Sequence, residues 1–104
     1  LAPIPPEERG DLMQAFHRRL TGPDPAVAAA AARAWSVWEG STSFLLTDDD
    51  AVRRFGDDAF SIAFARIECH YFVNGGFLRS ENQLLDDLHR IRHIPAVIVQ
   101  GRYD

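Results

Sequence analysis

Among the acidic residues, Glu68 has the least favourable surroundings for a negative charge. At helical spacing it lies near the edge of an apolar stripe, with Phe64 four residues before it and Phe72 four after. An ionised carboxylate between aromatic rings is unfavourable unless a cation offsets its charge. Two interpretations remain open: a boundary residue that reaches solvent or an arginine such as Arg66 or Arg102, or a binding group for a cation.

Glu39 is a second carboxylate in an unfavourable place, because it ends an apolar helix beside Trp35 and Trp38. A negative side chain near a helix C-terminus opposes the helix dipole by ~0.3–1 kcal/mol. Glutamates at helix ends are commonly solvated, so the position alone is compatible with a surface role or a binding role.

Asp104 follows a β-branched run at 96–99 and the tripeptide Gly-Arg-Tyr. A run of this kind, entered through proline and left through glycine, predicts a fully buried strand of a parallel sheet. Open α/β sheets hold their catalytic groups just past the carboxyl ends of such strands. Asp104 is therefore either a turn aspartate or an acid that orients a catalytic histidine. No other segment looks able to pair with this strand, so we expect the chain to be part of a larger enzyme.

The chain does not contain a complete set of catalytic groups. It has no G-x-S-x-G nucleophile elbow, and its four histidines all precede Asp104, whereas α/β-hydrolases run serine, acid, histidine. The single cysteine, Cys69, allows no internal disulfide and no metal-site spacing. The run Asp48-Asp49-Asp50 lacks the glycine and distal glutamate of a calcium loop. We expect neither a metal nor a cofactor.

Four helices, one short helix and a C-terminal strand are predicted to position these residues. The first helix spans about residues 6–20, and the second begins at Asp24-Pro25 and ends at Gly40. A short helix spans about 48–56, a long one opens at 57 and ends before Asn74, and the last begins with a capping box at Ser80. The fold class is thus mainly α.

Each helix carries an apolar stripe that predicts its buried face. Cys69 is expected to pack as a small helix residue. The predicted inward residues are, in chain order, Leu12, Ala15, Phe16 and Leu20; Val27, Ala31, Trp35 and Trp38; Phe60, Ala63, Phe64, Ile67 and Tyr71; and Leu84, Leu85, Leu88 and Ile91.

Composition narrows the classes of function. With 104 residues, of which 46% are hydrophobic, the chain can form one modest core but not two domains. A net charge of −4 with 11 scattered basic residues argues against nucleic acid and against an anionic membrane as partners. No apolar run approaches the ~20 residues of a spanning helix, and no signal-peptide pattern is present. We expect a cytoplasmic location, although a targeting segment could precede Leu1.

Three sequence strings together resemble one family: Trp35–Gly40 (WSVWEG), Phe64–Phe72 (FARIECHYF) and Ile91–Asp104 (IRHIPAVIVQGRYD). They are similar to the prolyl aminopeptidases (proline iminopeptidases), which are serine peptidases of the α/β-hydrolase fold. The resemblance covers essentially the whole chain, in the family's order and spacing. It implies that residues 1–93 form the helical cap, or lid, domain and that residues 94–104 form the strand returning to the hydrolase core.

The resemblance also implies roles for the three carboxylates. In this family two cap glutamates bind the free ammonium of an N-terminal proline, and those positions match Glu39 and Glu68. The acid of the catalytic triad matches Asp104. The serine nucleophile, triad histidine and oxyanion hole are absent from this chain, so we expect it to be inactive alone. Its implied partners are a peptide with N-terminal proline and the rest of the hydrolase core. Cys69 stands where a small polar residue such as asparagine is expected.

Two alternatives remain open. The chain could be the cap of another α/β-hydrolase, such as an epoxide hydrolase or an esterase, although such caps need no acid pair for an amine. It could also be a free-standing helical interaction module. An unpaired apolar strand at Ala96–Val99 would then be open to self-association. A G-x-S-x-G upstream and a histidine downstream would support the peptidase.

Overall fold

The structure is a computed structural model that describes residues 3–43 and 48–101. Within these ranges the helices are α1 (Leu12–Thr21), α2 (Pro25–Thr42), α3 (Asp49–Phe55), α4 (Asp58–Val73) and α5 (Gln83–Asp86). Short 3-10 helices span Pro6–Asp11, Gly75–Phe77 and Asp87–Arg90. The same ranges contain no strand. The prediction of a mainly-α fold is confirmed.

Aspartate side chains begin the helices, largely as predicted. The carboxylates of Asp24 and Asp57 accept hydrogen bonds from backbone N–H groups two or three residues ahead, with N···O distances of 2.9–3.3 Å. Asp11 caps α1 in the same way, accepting from the N–H of Gln14 at 3.1 Å. This last cap was not predicted. It divides the expected first helix into a 3-10 helix and α1.

Three helices, α1, α2 and α4, enclose the hydrophobic core. Phe16 of α1 meets Trp35 of α2 edge to face, with ring centroids 5.2 Å apart. The N-terminal 3-10 helix is tied to α1 by Glu8, whose carboxylate pairs with Arg18 and Arg19 at 2.6 and 2.8 Å. Hydrogen bonds from these two guanidinium groups lower the pKa of Glu8 to about 2. The buried core comprises Ile4, Ala15, Phe16, Leu20, Ala31, Ala32, Trp35, Ala65 and Cys69.

Rows of small residues at a spacing of four line the buried sides of α2 and α4. We call these two sets the small-residue rows. The hydroxyl of Ser36 on α2 donates to the carbonyl of Ser61 on α4 at 3.3 Å, so the rows meet at that point. Cys69 packs as a small helix residue, as predicted, and its thiol approaches the carbonyl of Met13 on α1. The rows are Ala28, Ala32, Ser36 and Gly40 on α2, and Ser61, Ala65 and Cys69 on α4.

The predicted inward faces of α2 and α4 were partly wrong. Ile67 and Tyr71 of α4 and Trp38 of α2 are more than half exposed, and Phe60, Ala63 and Val27 are exposed as well. Both helices are apolar on more than one side, so periodicity alone fits more than one orientation. Small side chains let helix axes approach to about 8 Å, and these residues therefore occupy the contact.

The C-terminal region also differs from prediction. The expected last helix is reduced to α5 and the 3-10 helix after it, which pack on each other and on no other described element. Its apolar stripe is consequently exposed. The predicted capping box at Ser80 is wrong, because α5 begins at Gln83 after Asn82 without a side-chain cap, and the Gln83 side chain accepts from the N–H of Arg79 at 2.6 Å. The exposed stripe residues are Leu84, Leu85, Leu88 and Ile91.

Residues 96–99, which were predicted to form a strand, pair with no other residue that the structure describes. Val97, Ile98 and Val99 are 88–92% exposed and lie outside any secondary structure. A strand needs a partner for its backbone N–H and C=O groups, and none of the residues described here supplies one. Asp104 and Arg102 lie outside the described residues.

Candidate functional site

The last turns of α2 carry Trp35 and Glu39 one turn apart on the same side of the helix. The helix ends at Thr42, two residues beyond the predicted end at Gly40. In its last turns the hydroxyls of Ser41, Thr42 and Ser43 donate at 2.6–3.0 Å to backbone carbonyls four residues earlier. Glu39 therefore lies within the helix rather than at its end.

Gly40 allows α3 to pack directly beside Glu39. The ring of Phe55 lies on Gly40 so closely that a Cβ added there would be 2.9 Å from Phe55 Cγ. Phe55 in turn contacts the rings of Phe60 and Phe64 on α4, with centroids 5.2 and 5.4 Å away. This aromatic group holds the ends of α2 and α3 against α4.

Glu68 of α4 is bound by an aromatic donor from α2. The indole N–H of Trp35 donates to Oε2 of Glu68 at 2.7 Å. Phe72 lies beside this pair, with its ring centroid 6.0 Å from that of Trp35. Phe64, the other ring predicted to flank Glu68, makes its ring contacts with Phe55 and Phe60 instead. The aromatic partner of Glu68 is thus a tryptophan.

No arginine neutralises this carboxylate within the described ranges. The predicted candidate Arg66 turns away and donates through Nε to the carbonyl of Leu20 at 2.8 Å. Among the same residues, neither Glu39 nor Glu68 has an arginine or histidine within 4.0 Å. The two glutamates are therefore carboxylates without a cationic partner there.

The two carboxylates are close enough to influence each other. Burial raises the pKa of Glu39 above its usual value, and the negative charge of Glu68 raises that pKa further. We call Glu39 and Glu68 the acidic pair. Its members come from different helices, α2 and α4, so the fold itself brings them together. A positive group placed between them would remove the repulsion.

An apolar cavity of about 430 Å³ opens beside Glu39, and Glu68 is not among its described lining residues. The cavity lies between α1, α2 and α4, and Glu39 is the one charged residue in its described lining. Its size is within the range of small-molecule sites. Tryptophan faces also attract cations. The arrangement suits a small apolar group that carries a positive charge. The lining comprises Leu12, Met13, Phe16, Ala34, Trp35, Trp38, Glu39 and Phe72.

Sequence reasoning proposed Glu39 and Glu68 as candidate residues and missed two parts of the candidate site. The first is the donor role of Trp35 toward Glu68, which depends on how α2 and α4 cross and which no local sequence pattern indicates. The second is the contribution of Leu12 and Met13 from α1, which no sequence pattern connects with either glutamate. Asp104 cannot be located relative to this site because it lies outside the described residues.

Two further properties concern metals and membranes. In the part of the chain that the structure describes, no three histidine, cysteine or acidic side chains group as metal ligands would. No helix in that part combines the length and the apolar character that crossing a bilayer requires.

Comparison with individual known proteins gives matches that agree with one another, whereas no protein-family model matches the chain. A proline iminopeptidase of Xanthomonas citri is 66% identical over 101 residues, which are 97% of this chain and 32% of that protein. A probable proline iminopeptidase of Leptolyngbya boryana is 59% identical over the whole chain and 32% of its own length. One from Arabidopsis thaliana is 53% identical over 97% of the chain and 27% of its length. The chain therefore corresponds to a segment of the proline iminopeptidases, about one third of the length of these relatives.

Proposed function

We propose that the chain is the helical cap of a prolyl aminopeptidase, a serine peptidase that releases N-terminal proline from peptides, together with the strand bearing its catalytic acid. Residues 1–93 form the cap, and residues 94–104 return to the α/β-hydrolase core. The observation that carries this proposal is the acidic pair, which has no described cationic partner and whose member Glu39 lines an apolar cavity. The names of the relatives support the peptide substrate.

The acidic pair binds the free amine of the substrate. The secondary ammonium of an N-terminal proline has two N–H groups, so it can donate one hydrogen bond to Glu39 and one to Glu68. The pyrrolidine ring is a small apolar group and suits the adjacent cavity, where Trp35 and Phe72 supply aromatic surface. An internal peptide residue has no ammonium and would leave both carboxylates uncompensated. The enzyme therefore discriminates against internal bonds.

The cap recognises substrate but does not cleave it. Asp104 would orient and stabilise the triad histidine, while the serine, the histidine and the oxyanion hole belong to the missing core. The purified chain should therefore release no proline from a proline arylamide above the background of a heat-treated sample. The cytoplasmic location of the enzyme stays a prediction from sequence.

The rest of the hydrolase core is the partner that this chain lacks. Support comes from the exposed stripe of α5 and from the exposed run Val97–Val99, which together present apolar surface that no described element covers. In the complete enzyme the run would pair with core strands. In the isolated chain the same run is a site for self-association.

The test compares two charge-removing variants in the full-length enzyme. Glu39→Gln and Glu68→Gln keep the side-chain shape, and each should lower kcat/KM for a proline arylamide by roughly ten- to a few hundred-fold, since a hydrogen bond to a charged group contributes about 1.5–3 kcal/mol or more. Cleavage of a small ester that lacks an amine should be unaffected, because the serine is untouched.

A matched control is Glu81→Gln, which removes one carboxylate from an exposed position away from the cavity. It should behave as the parent with both substrates. If the variants at Glu39 and Glu68 also cleave the arylamide as the parent does, the amine-binding role is wrong, and the cap of an esterase or epoxide hydrolase becomes the better interpretation.

A further inference from the structure

The two members of the acidic pair differ in how the protein holds them. Oε2 of Glu68 accepts the indole N–H of Trp35 at 2.7 Å. In the described ranges, no other side chain donates to Glu68 and none donates to Glu39. One carboxylate is therefore anchored through a single oxygen, and the other is not anchored.

The donor is itself fixed from both sides. Trp35 is 6% exposed and lies between Phe16 of α1 and Phe72 of α4, with centroid distances of 5.2 and 6.0 Å. The Phe16 contact is edge to face at 82°, which resists rotation of the indole. Because the ring cannot turn freely, its N–H direction is fixed, and so is the oxygen of Glu68 that it binds.

We infer that Trp35 is a positioning residue, whose indole N–H holds Glu68 so that its other oxygen, Oε1, faces the substrate ammonium together with Glu39. This inference rests on the proposed function of the acidic pair. A carboxylate that is ordered before the substrate arrives loses less conformational freedom on binding, and the difference appears as affinity. Trp35 thus acts through Glu68 rather than through the reacting atoms.

The geometry is tested first by NMR on the chain itself. The sequence has two tryptophans, so two indole N–H signals are expected, and Trp35→Phe assigns them. Glu68→Ala should move the Trp35 signal upfield and accelerate its exchange with water, while the signal of the exposed Trp38 stays in place as an internal control. A Trp35 signal that Glu68→Ala leaves unchanged would overturn the inference.

The consequence for binding is tested in the full-length enzyme with Trp35→Phe. This change keeps an aromatic ring against Phe16 and Phe72 and removes the donor together with part of the ring volume. It should raise KM and lower kcat/KM for a proline arylamide by roughly tenfold, the effect of one lost hydrogen bond to a charged group, without changing kcat/KM for an ester that lacks an amine. Leu20→Val, a buried change in α1 outside the cavity, controls for simple destabilisation and should alter no selectivity.

Three results would contradict this role, and they can be told apart. If Trp35→Phe lowers activity equally on the amine and the ester substrates, its role is structural and the inference fails. If Trp35→Phe behaves as the parent while Glu39→Gln and Glu68→Gln are impaired, the inference fails and the proposed function stands. If the glutamine variants are also unimpaired, the amine-binding proposal fails and the role of Trp35 fails with it.

Discussion

Replacing Glu39 by glutamine should stabilise the substrate-free chain at neutral pH. Burial and the neighbouring charge of Glu68 both disfavour the ionised form of Glu39, as its raised pKa shows. Glutamine has the same shape and no charge, so it removes the repulsion and leaves the packing of α2 unchanged. A residue selected only for stability would not be ionised here.

The gain has two sources, first the burial of Glu39 and second the charge of Glu68, and the second can be bounded from Coulomb's law. Two unit charges 4 Å apart interact by about 1 kcal/mol in water and by about 4 kcal/mol at an effective dielectric constant of 20. Glu39 is only partly buried, so solvent screens most of the repulsion and the lower end applies. We expect Glu39→Gln to raise the free energy of unfolding by about 0.5–1 kcal/mol.

Glu68→Gln should behave differently, because Glu68 has a partner. It relieves the same repulsion, but it also exchanges a charge-assisted hydrogen bond from Trp35, about 1.5–3 kcal/mol, for a neutral one of about 0.5–1.5 kcal/mol. The two effects nearly cancel. A net change between zero and about 1 kcal/mol of destabilisation is expected for this variant.

The pH dependence of the free energy of unfolding tests the direction of this effect. In the folded chain the pKa of Glu39 lies above its usual value of 4.5. Between the usual pKa and the raised pKa, the folded state therefore binds a proton more readily than the unfolded state. The parent therefore loses stability as the pH rises through this window. The advantage of Glu39→Gln should grow over the same window and disappear below about pH 4, where the carboxyl is protonated.

Urea unfolding followed by circular dichroism from about pH 3.5 to about pH 7.5 measures this difference. Glu81→Gln, at an exposed position, should give no comparable gain. Destabilisation by Glu39→Gln at pH 7, or a gain that persists unchanged at the acid end, would refute the reasoning.

Two further predictions concern packing and association. Gly40→Ala should destabilise the chain by about 1 kcal/mol in the same urea assay, because the new Cβ would lie 2.9 Å from Phe55 Cγ and overpacking, ~1–3 kcal/mol, exceeds the gain of ~1 kcal/mol in helix propensity. A variant as stable as the parent would show that α3 can move away freely. The isolated chain should self-associate through its exposed run Val97–Val99, and Ile98→Lys should reduce this in sedimentation experiments. A parent chain that stays monomeric at roughly 0.5 mM would contradict it.

Helix positions were predictable because their signals are local. Asp24 and Asp57 cap helices through bonds that span two or three residues, and the glycines after Asn74 adopt the positive φ angles of 57° and 64° that end α4. These interactions depend on no distant part of the chain. Sequence alone therefore located the starts of α2 and α4 to within a residue.

The orientation of α4 was not predictable in the same way. Phe60, Ile67 and Tyr71 form as good a stripe as Ser61, Ala65 and Cys69, and only the neighbouring helices decide between them. The last predicted helix failed for a related reason. A short amphipathic segment gains most of its stability from packing, and α5 packs on no described element except the 3-10 helix that follows it.

The candidate site was predictable in its charges but not in its geometry. Glu39 and Glu68 are 29 positions apart in the sequence, counted as 68 − 39, and no local rule brings them together. Their proximity was implied by the family resemblance. The hydrogen bond from Trp35 to Glu68 depends on how α2 and α4 cross, which neither stripe specifies.

The small-residue rows have a consequence for how substrate preference can evolve. Side chains such as Ser36, Ser61 and Ala65 cannot be shortened much further or repacked around an added methylene, so the backbones themselves set the separation of α2 and α4. The same separation fixes the span between the two carboxylates. Under the proposed function, the width of the amine-binding site is inherited from residues that never touch a substrate. A change in the size of substrate that the site accepts would then require a change in the packing between α2 and α4.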